Sequence, residues 1–101
     1  MDNSFYHVSE RTIERVAEVA AAAVPGSRTI DAKLAGLAGR SFPRINARLD
    51  QATGTVAVDT EIATSYPAPV AAITDAVRAT IIAHIRTLVG LDVSRVKVTV
   101  A

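Results

Sequence analysis

Two carboxylates spaced two residues apart, Asp59 and Glu61, could in principle work together as an acid and a base. They fall in residues 55–66, where apolar and polar residues alternate, and a strand turns both side chains to one face. Such a pair does acid–base chemistry only in a concave site that gives its members different proton affinities. Here the carboxylates alternate with small residues, which is typical of a solvated sheet face.

Basic residues show the same alternation on the last predicted strand, where Arg95 and Lys97 occupy its outward face. Cross-strand ion pairs between these residues and the two carboxylates, Asp59 and Glu61, are the simplest interpretation. The functional alternative is that this mixed-charge face serves as a docking or self-assembly surface.

A glycine pair could bind a nucleic-acid backbone. Gly36 and Gly39 match the G-x-x-G of single-strand RNA-binding KH domains, and Arg40 and Arg44 supply nearby positive charge. In KH domains the motif joins two helices, whereas here it follows a short predicted strand. A KH-like RNA-binding module using this loop is therefore the alternative function.

No other motif predicts a reaction. The chain has no cysteine, which excludes disulfides, thiolate zinc sites and cysteine nucleophiles. His84 lies among apolar residues of a predicted helix, and a metal or catalytic role would need convergent partners. The sequence carries no P-loop, dinucleotide motif or Ser/His/Asp arrangement. We expect no enzymatic activity, no cofactor and no metal.

Length and composition limit the function further. The chain has 101 residues, half of them apolar but only 4% aromatic, and a net charge of +1. This charge lacks the basic excess of a typical nucleic-acid binder, so nucleic acid is not an expected partner. No apolar run approaches the ~20 residues of a transmembrane helix, so direct membrane insertion is not expected either. We predict a flexible leader at residues 1–8 and one domain at residues 9–101.

Periodicity predicts the elements. Residues 9–24 form an amphipathic helix that begins at the N-cap Ser9, and residues 69–89 form a second helix. Strands are predicted at residues 30–34, 45–50, 55–66 and 93–101, with a hairpin between the second and third. The order α-β-β-β-α-β predicts an α+β two-layer sandwich, with both helices on one face of a sheet of three or four strands. The outer edges of such a sheet are available for strand addition.

Helix charges and apolar residues define further surfaces. The polar face of the first helix is expected to face solvent; it holds Glu10, Arg11, Glu14, Arg15 and Glu18. The second helix carries more apolar surface than one sheet contact requires. Its extra stripe, Ile82, Ile85 and Val89, either contacts a partner or lies beneath the loop at residues 35–44.

Several blocks of sequence carry a family resemblance. They are FPRINARL at 42–49, TVAVDTEIA at 55–63, YPAPV at 66–70, VGL at 89–91 and VSRVKVTV at 93–100. In this order and spacing they resemble the bacterial alkaline-shock, or envelope-stress-response, protein family, especially its actinobacterial members. The resemblance spans roughly residues 8–100. The family pattern favours a glycine near the end of the hairpin strand, where this chain has Tyr66-Pro67.

The resemblance implies a function for the whole chain. Family members are non-catalytic, abundant, cytosolic proteins of the envelope stress response that self-associate and are recruited to the membrane by a small membrane-anchored protein. By resemblance, we expect a scaffolding and interaction module that is cytoplasmic and peripheral at the inner face of the cell membrane.

Overall fold

The first helix, α1 (Glu10–Ala23), begins where the sequence predicts. The Ser9 side chain accepts a hydrogen bond from the Thr12 backbone N–H at 3.1 Å, which satisfies one donor of the first turn. The computed structural model describes residues 8–31 and 41–101, and the apolar stripe of α1 is buried there. This stripe anchors the helix layer.

Gly26 reverses the chain directly after α1. Its φ of +93° is a left-handed conformation, and a Cβ at this position would lie 2.6 Å from Cδ1 of Ile73. Because the reversal is this tight, pairing starts at once in a short strand, β1 (Ser27–Arg28). The strand predicted at residues 30–34 is wrong at its start, because pairing already begins at Ser27. Ile30 makes only an isolated bridge with Phe42, and residues 32–34 lie outside the described residues.

The sheet is mixed and centred on β3 (Thr55–Thr64). The preceding strand, β2 (Arg44–Asp50), forms the predicted antiparallel hairpin with it. The last strand, β4 (Asp92–Val100), pairs with the other side of β3 in parallel. A parallel neighbour requires a crossover, which the second helix supplies.

The second helix, α2 (Val70–His84), continues into a π-helical turn, Ile85–Val89. The Gly90 N–H donates to the Ile85 carbonyl oxygen at 3.1 Å, five residues back, and closes this turn. No helix within residues 8–31 and 41–101 is long and apolar enough to cross a membrane.

Both helices cover one face of the sheet, as predicted. The buried face of β3 carries Val56, Val58, Thr60 and Ile62. Thr60 is the polar member, and its hydroxyl donates to the Arg44 carbonyl oxygen at 3.0 Å. Apart from Thr60, the core among the described residues is aliphatic. Two helices over one face of a four-stranded sheet confirm the α+β two-layer architecture.

Candidate functional site

The exposed face of the sheet gathers the charges that the sequence singled out. Strand alternation places Asp59 and Glu61 in the centre, on β3. In the register of the sheet Asp59 lies opposite Lys97, and Glu61 lies opposite Arg44. An acidic centre is therefore flanked by basic residues on both sides, and we call this surface the charged sheet face. Its charged members are Arg44, Arg48, Asp59, Glu61, Arg95 and Lys97.

Two long ion pairs connect the strands; Arg95–Asp59 is among the pairs that the sequence predicted, whereas Arg44–Glu61 is not. Arg95 Nη2 lies 3.9 Å from Asp59 Oδ1, and Arg44 Nη1 lies 3.9 Å from Glu61 Oε1. The Arg95 and Asp59 side chains are 66% and 54% exposed, so water screens their attraction. Lys97 forms no ion pair with any described residue. Such loosely held charges can exchange these partners for groups on another molecule.

The charged sheet face is concave but open. A depression of about 390 Å³ lies over it and is lined by Arg44, Ile45, Asn46, Asp59, Thr60, Glu61, Lys97 and Thr99. The Asp59 side chain is 54% exposed and the Glu61 side chain 23% exposed, and each carboxylate lies beside an arginine in this open depression. Acid–base catalysis needs a site that excludes water, whereas polar contacts with a protein partner do not.

The sequence predicted an additional apolar stripe on the second helix at Ile82, Ile85 and Val89. An exposed position for Ile85 is wrong. Ile85 is completely buried, and Ile82 and Val89 are partly buried against the core. Residues 73, 77, 81 and 85 follow one another at four-residue spacing, and the Ile85 N–H still donates to the Ile81 carbonyl oxygen, so Ile85 continues the inward stripe of α2. The wide π-helical turn begins at Ile85 and changes the direction of the residues that follow. Leu88, which the period of a regular helix places inside, is 66% exposed instead.

Of the glycines and arginines of the predicted RNA-binding loop, only Arg44 lies among the described residues. Gly36, Gly39 and Arg40 lie outside the described residues. Arg44 is a strand residue of β2 and pairs with Glu61 across the sheet. It therefore belongs to the charged sheet face.

His84 has a local partner. Its Nδ1 lies 3.0 Å from the Thr80 carbonyl oxygen, one turn back on α2. Across residues 8–31 and 41–101, no three His, Cys, Asp or Glu side chains are grouped closely enough to hold a metal ion.

Sequence reasoning missed two hydrogen bonds that α1 makes to the sheet. Glu14 Oε2 accepts a hydrogen bond from the Ala47 N–H at 2.9 Å, and Glu10 Oε2 accepts one from the Leu49 N–H at 2.8 Å. These amides are the outward-pointing donors of β2, so the predicted open edge is capped here. The four-residue spacing of the two glutamates is the sequence feature that could have predicted these bonds. Four residues rise ~6 Å along a helix, which nearly matches the ~6.6 Å between alternate residues of a strand.

A protein-family model matches residues 2–101, almost the whole chain. It describes the alkaline-shock protein family, with a cell envelope-related function, and so confirms the resemblance carried by the sequence blocks. A comparison with curated proteins gave no match.

Solved structures of the MamM CTD share the fold. The MamM-CTD 215-293 structure is 20% identical, with 92% of this chain and 98% of that chain covered and a TM-score of 0.65. A zinc form is 18% identical, with 90% and 82% covered and a TM-score of 0.64. A manganese form is 20% identical, with 92% and 98% covered and a TM-score of 0.64. At this level of identity the likeness extends to the fold alone.

Proposed function

Because the chain belongs to the alkaline-shock protein family, whose function is related to the cell envelope, we propose that it acts as a non-enzymatic interaction and scaffolding module in the envelope stress response. Its place is the cytoplasmic side of the membrane, where a small membrane-anchored protein holds it. The charged sheet face is the surface that binds this partner.

The observation that carries this proposal is the contrast between the two faces of the sheet. One face packs into an aliphatic core, while the other presents six charged side chains, Arg44, Arg48, Asp59, Glu61, Arg95 and Lys97, with both signs interspersed. A surface of mixed charge gives specificity and orientation to a protein contact through electrostatic complementarity. The acidic centre between basic flanks favours a partner segment that carries the inverse pattern.

The concave region of this face supports binding more than catalysis. Its carboxylates lie against arginine side chains at 3.9 Å, in contact with water. Asp59 lacks the desolvated setting that a general acid requires, and Glu61, although partly buried, lies beside Arg44 in an open depression.

Site-specific photo-crosslinking in the native cell tests the proposal. A photoreactive side chain at Lys97 is expected to capture a small protein from the membrane fraction, and mass spectrometry identifies whether that protein carries a transmembrane segment. The matched control places the same group at Arg11, which is also an exposed basic residue but lies on α1. Equal capture from both positions, or no membrane protein from Lys97, would contradict the proposal.

A further inference from the structure

The two outer edges of the sheet differ in how their backbone groups are satisfied. On β2, the carboxylates of Glu10 and Glu14 occupy the outward N–H groups of Leu49 and Ala47. An edge capped in this way cannot add another strand unless those carboxylates leave. Strand addition is therefore directed to the opposite edge.

The opposite edge is β4, and its register shows which groups it presents. The Ala101 N–H donates to the Ile62 carbonyl oxygen at 2.9 Å, so the odd-numbered residues of β4 direct their backbone groups toward β3. Since direction alternates along a strand, the N–H and C=O groups of Val96, Val98 and Val100 point outward. Arg78 Nε confirms this alternation, because it donates to the Val96 carbonyl oxygen at 3.1 Å.

We propose that β4 of one chain pairs antiparallel with β4 of a second copy, around a two-fold axis that passes through Val98. Val98 then faces Val98 of the second copy. Val96 of each chain faces Val100 of the other. Three such pairs, each with two N–H···O=C bonds, give about six hydrogen bonds. The Val96 carbonyl oxygen has two lone pairs and can accept from both Arg78 and the second copy. This inference deepens the proposed function by naming one partner.

Charge and the number of backbone hydrogen bonds together select this register among the symmetric alternatives. An axis at Lys97 would place Lys97 against itself, and an axis at Val96 would place Arg95 against Lys97; both arrangements set like charges directly opposite each other. The axis at Val98 places Lys97 opposite Thr99 and Arg95 opposite Ala101. No like charges of the strand then face each other. An axis at Thr99 also avoids like charges, but among residues 96–101 it pairs only Val98 with Val100 and gives about four hydrogen bonds in place of six.

The second copy also covers apolar side chains of β4 on the helix side of the sheet. Val98 and Val100 are only partly buried against the core, although their side chains are apolar and β-branched. Pairing places Val96 of each chain beside Val100 of the other, and such cross-strand pairs are favourable. A strand from the identical chain thus supplies both matching backbone groups and matching side chains.

Because the edge of β2 is capped, the assembly is expected to close at two chains. If β4 of one copy paired with β2 of the next, the contact would be heterologous and would produce an open filament. Glu10 and Glu14 block that contact, whereas the β4–β4 pair is isologous and uses each β4 edge once. The expected species is a closed dimer.

Two substitutions of opposite charge at Thr99 test the register by sedimentation equilibrium of the purified full chain. Thr99→Glu sets a carboxylate against Lys97 of the second copy at two symmetric places, so the dimer dissociation constant should fall by roughly 2- to 30-fold. Thr99→Lys should raise it by a similar factor. A strict monomer of 10.6 kDa at every concentration, or equal constants for the two variants, would overturn the inference.

Val98→Pro tests the edge itself, with Val98→Ala as the control. Proline removes the outward N–H of Val98 but none of the bonds that β4 makes to β3, and edge strands tolerate proline for this reason. The expected result is a folded monomer for the proline variant and a retained dimer for the alanine variant. A proline variant that folds and still dimerises would contradict the pairing. A chain that is monomeric alone but is crosslinked from Lys97 to a membrane protein would refute the dimer and leave the proposed function intact.

Discussion

Replacing Glu14 with alanine removes the charged acceptor from the Ala47 N–H and leaves a partly buried donor without its partner. The bond is 2.9 Å long and joins a half-buried carboxylate to an amide in the hairpin. Hydrogen bonds to charged groups contribute ~1.5–3 kcal/mol, and partial access of water to this edge favours the lower part of that range. We expect Glu14→Ala to reduce the free energy of unfolding by about 1.5–2 kcal/mol.

Urea denaturation followed by circular dichroism measures this loss. Glu14→Gln keeps a neutral acceptor and should cost about half as much, ~1 kcal/mol, since neutral hydrogen bonds are weaker. Glu18→Ala is the matched control: Glu18 lies one turn further along the same face but makes no hydrogen bond among the described residues, so its change should stay within ~0.5 kcal/mol. Helix propensity changes equally in the two alanine variants. If Glu14→Ala and Glu18→Ala have the same stability, the carboxylate does not cap the edge of β2.

Three further predictions concern the fold that supports the charged sheet face. Gly26→Ala should destabilise the chain by about 1–3 kcal/mol in urea denaturation, because the positive φ strains alanine and its Cβ meets Ile73; a neutral result would show that the turn is not as tight as described. Ile85→Ala should cost ~2–5 kcal/mol, whereas Leu88→Ala should cost less than ~0.5 kcal/mol; the reverse order in thermal melts would contradict the π-helical turn. Ser9→Ala should lower stability by ~1 kcal/mol by calorimetry, and no change would mean that the cap contributes nothing.

The sheet was predictable where burial and alternation coincide. Val56, Val58 and Ile62 point inward on β3 while Asp59 and Glu61 point outward, because one face of the strand meets the helices and the other meets water. The charged residues of the outward face could be assigned from the sequence for the same reason, except Arg44, which was assigned to a loop and begins β2. Of the ion pairs, only Arg95–Asp59 followed from this alternation, because the assignment of Arg44 to a loop missed its pairing with Glu61.

Features that depend on geometry between distant elements were not predictable. The exposed position of Leu88 follows a π-helical turn, which no local periodicity encodes. The bonds from Glu10 and Glu14 to β2 join residues more than thirty positions apart, so the local pattern indicated only a solvated helix face. The start of β1 depended on how tightly Gly26 lets the chain reverse against Ile73.

The most direct test of the central claim is the share of the protein that sediments with membranes from native cells after the charged sheet face is neutralised. In the variant Arg95→Gln/Lys97→Gln, this share should fall well below that of the unaltered chain. The matched variant Arg11→Gln/Arg15→Gln changes the same number of exposed charges on α1 and should leave the share unchanged. If both variants sediment like the unaltered chain while urea denaturation shows them folded, the charged sheet face does not bind the partner at the membrane.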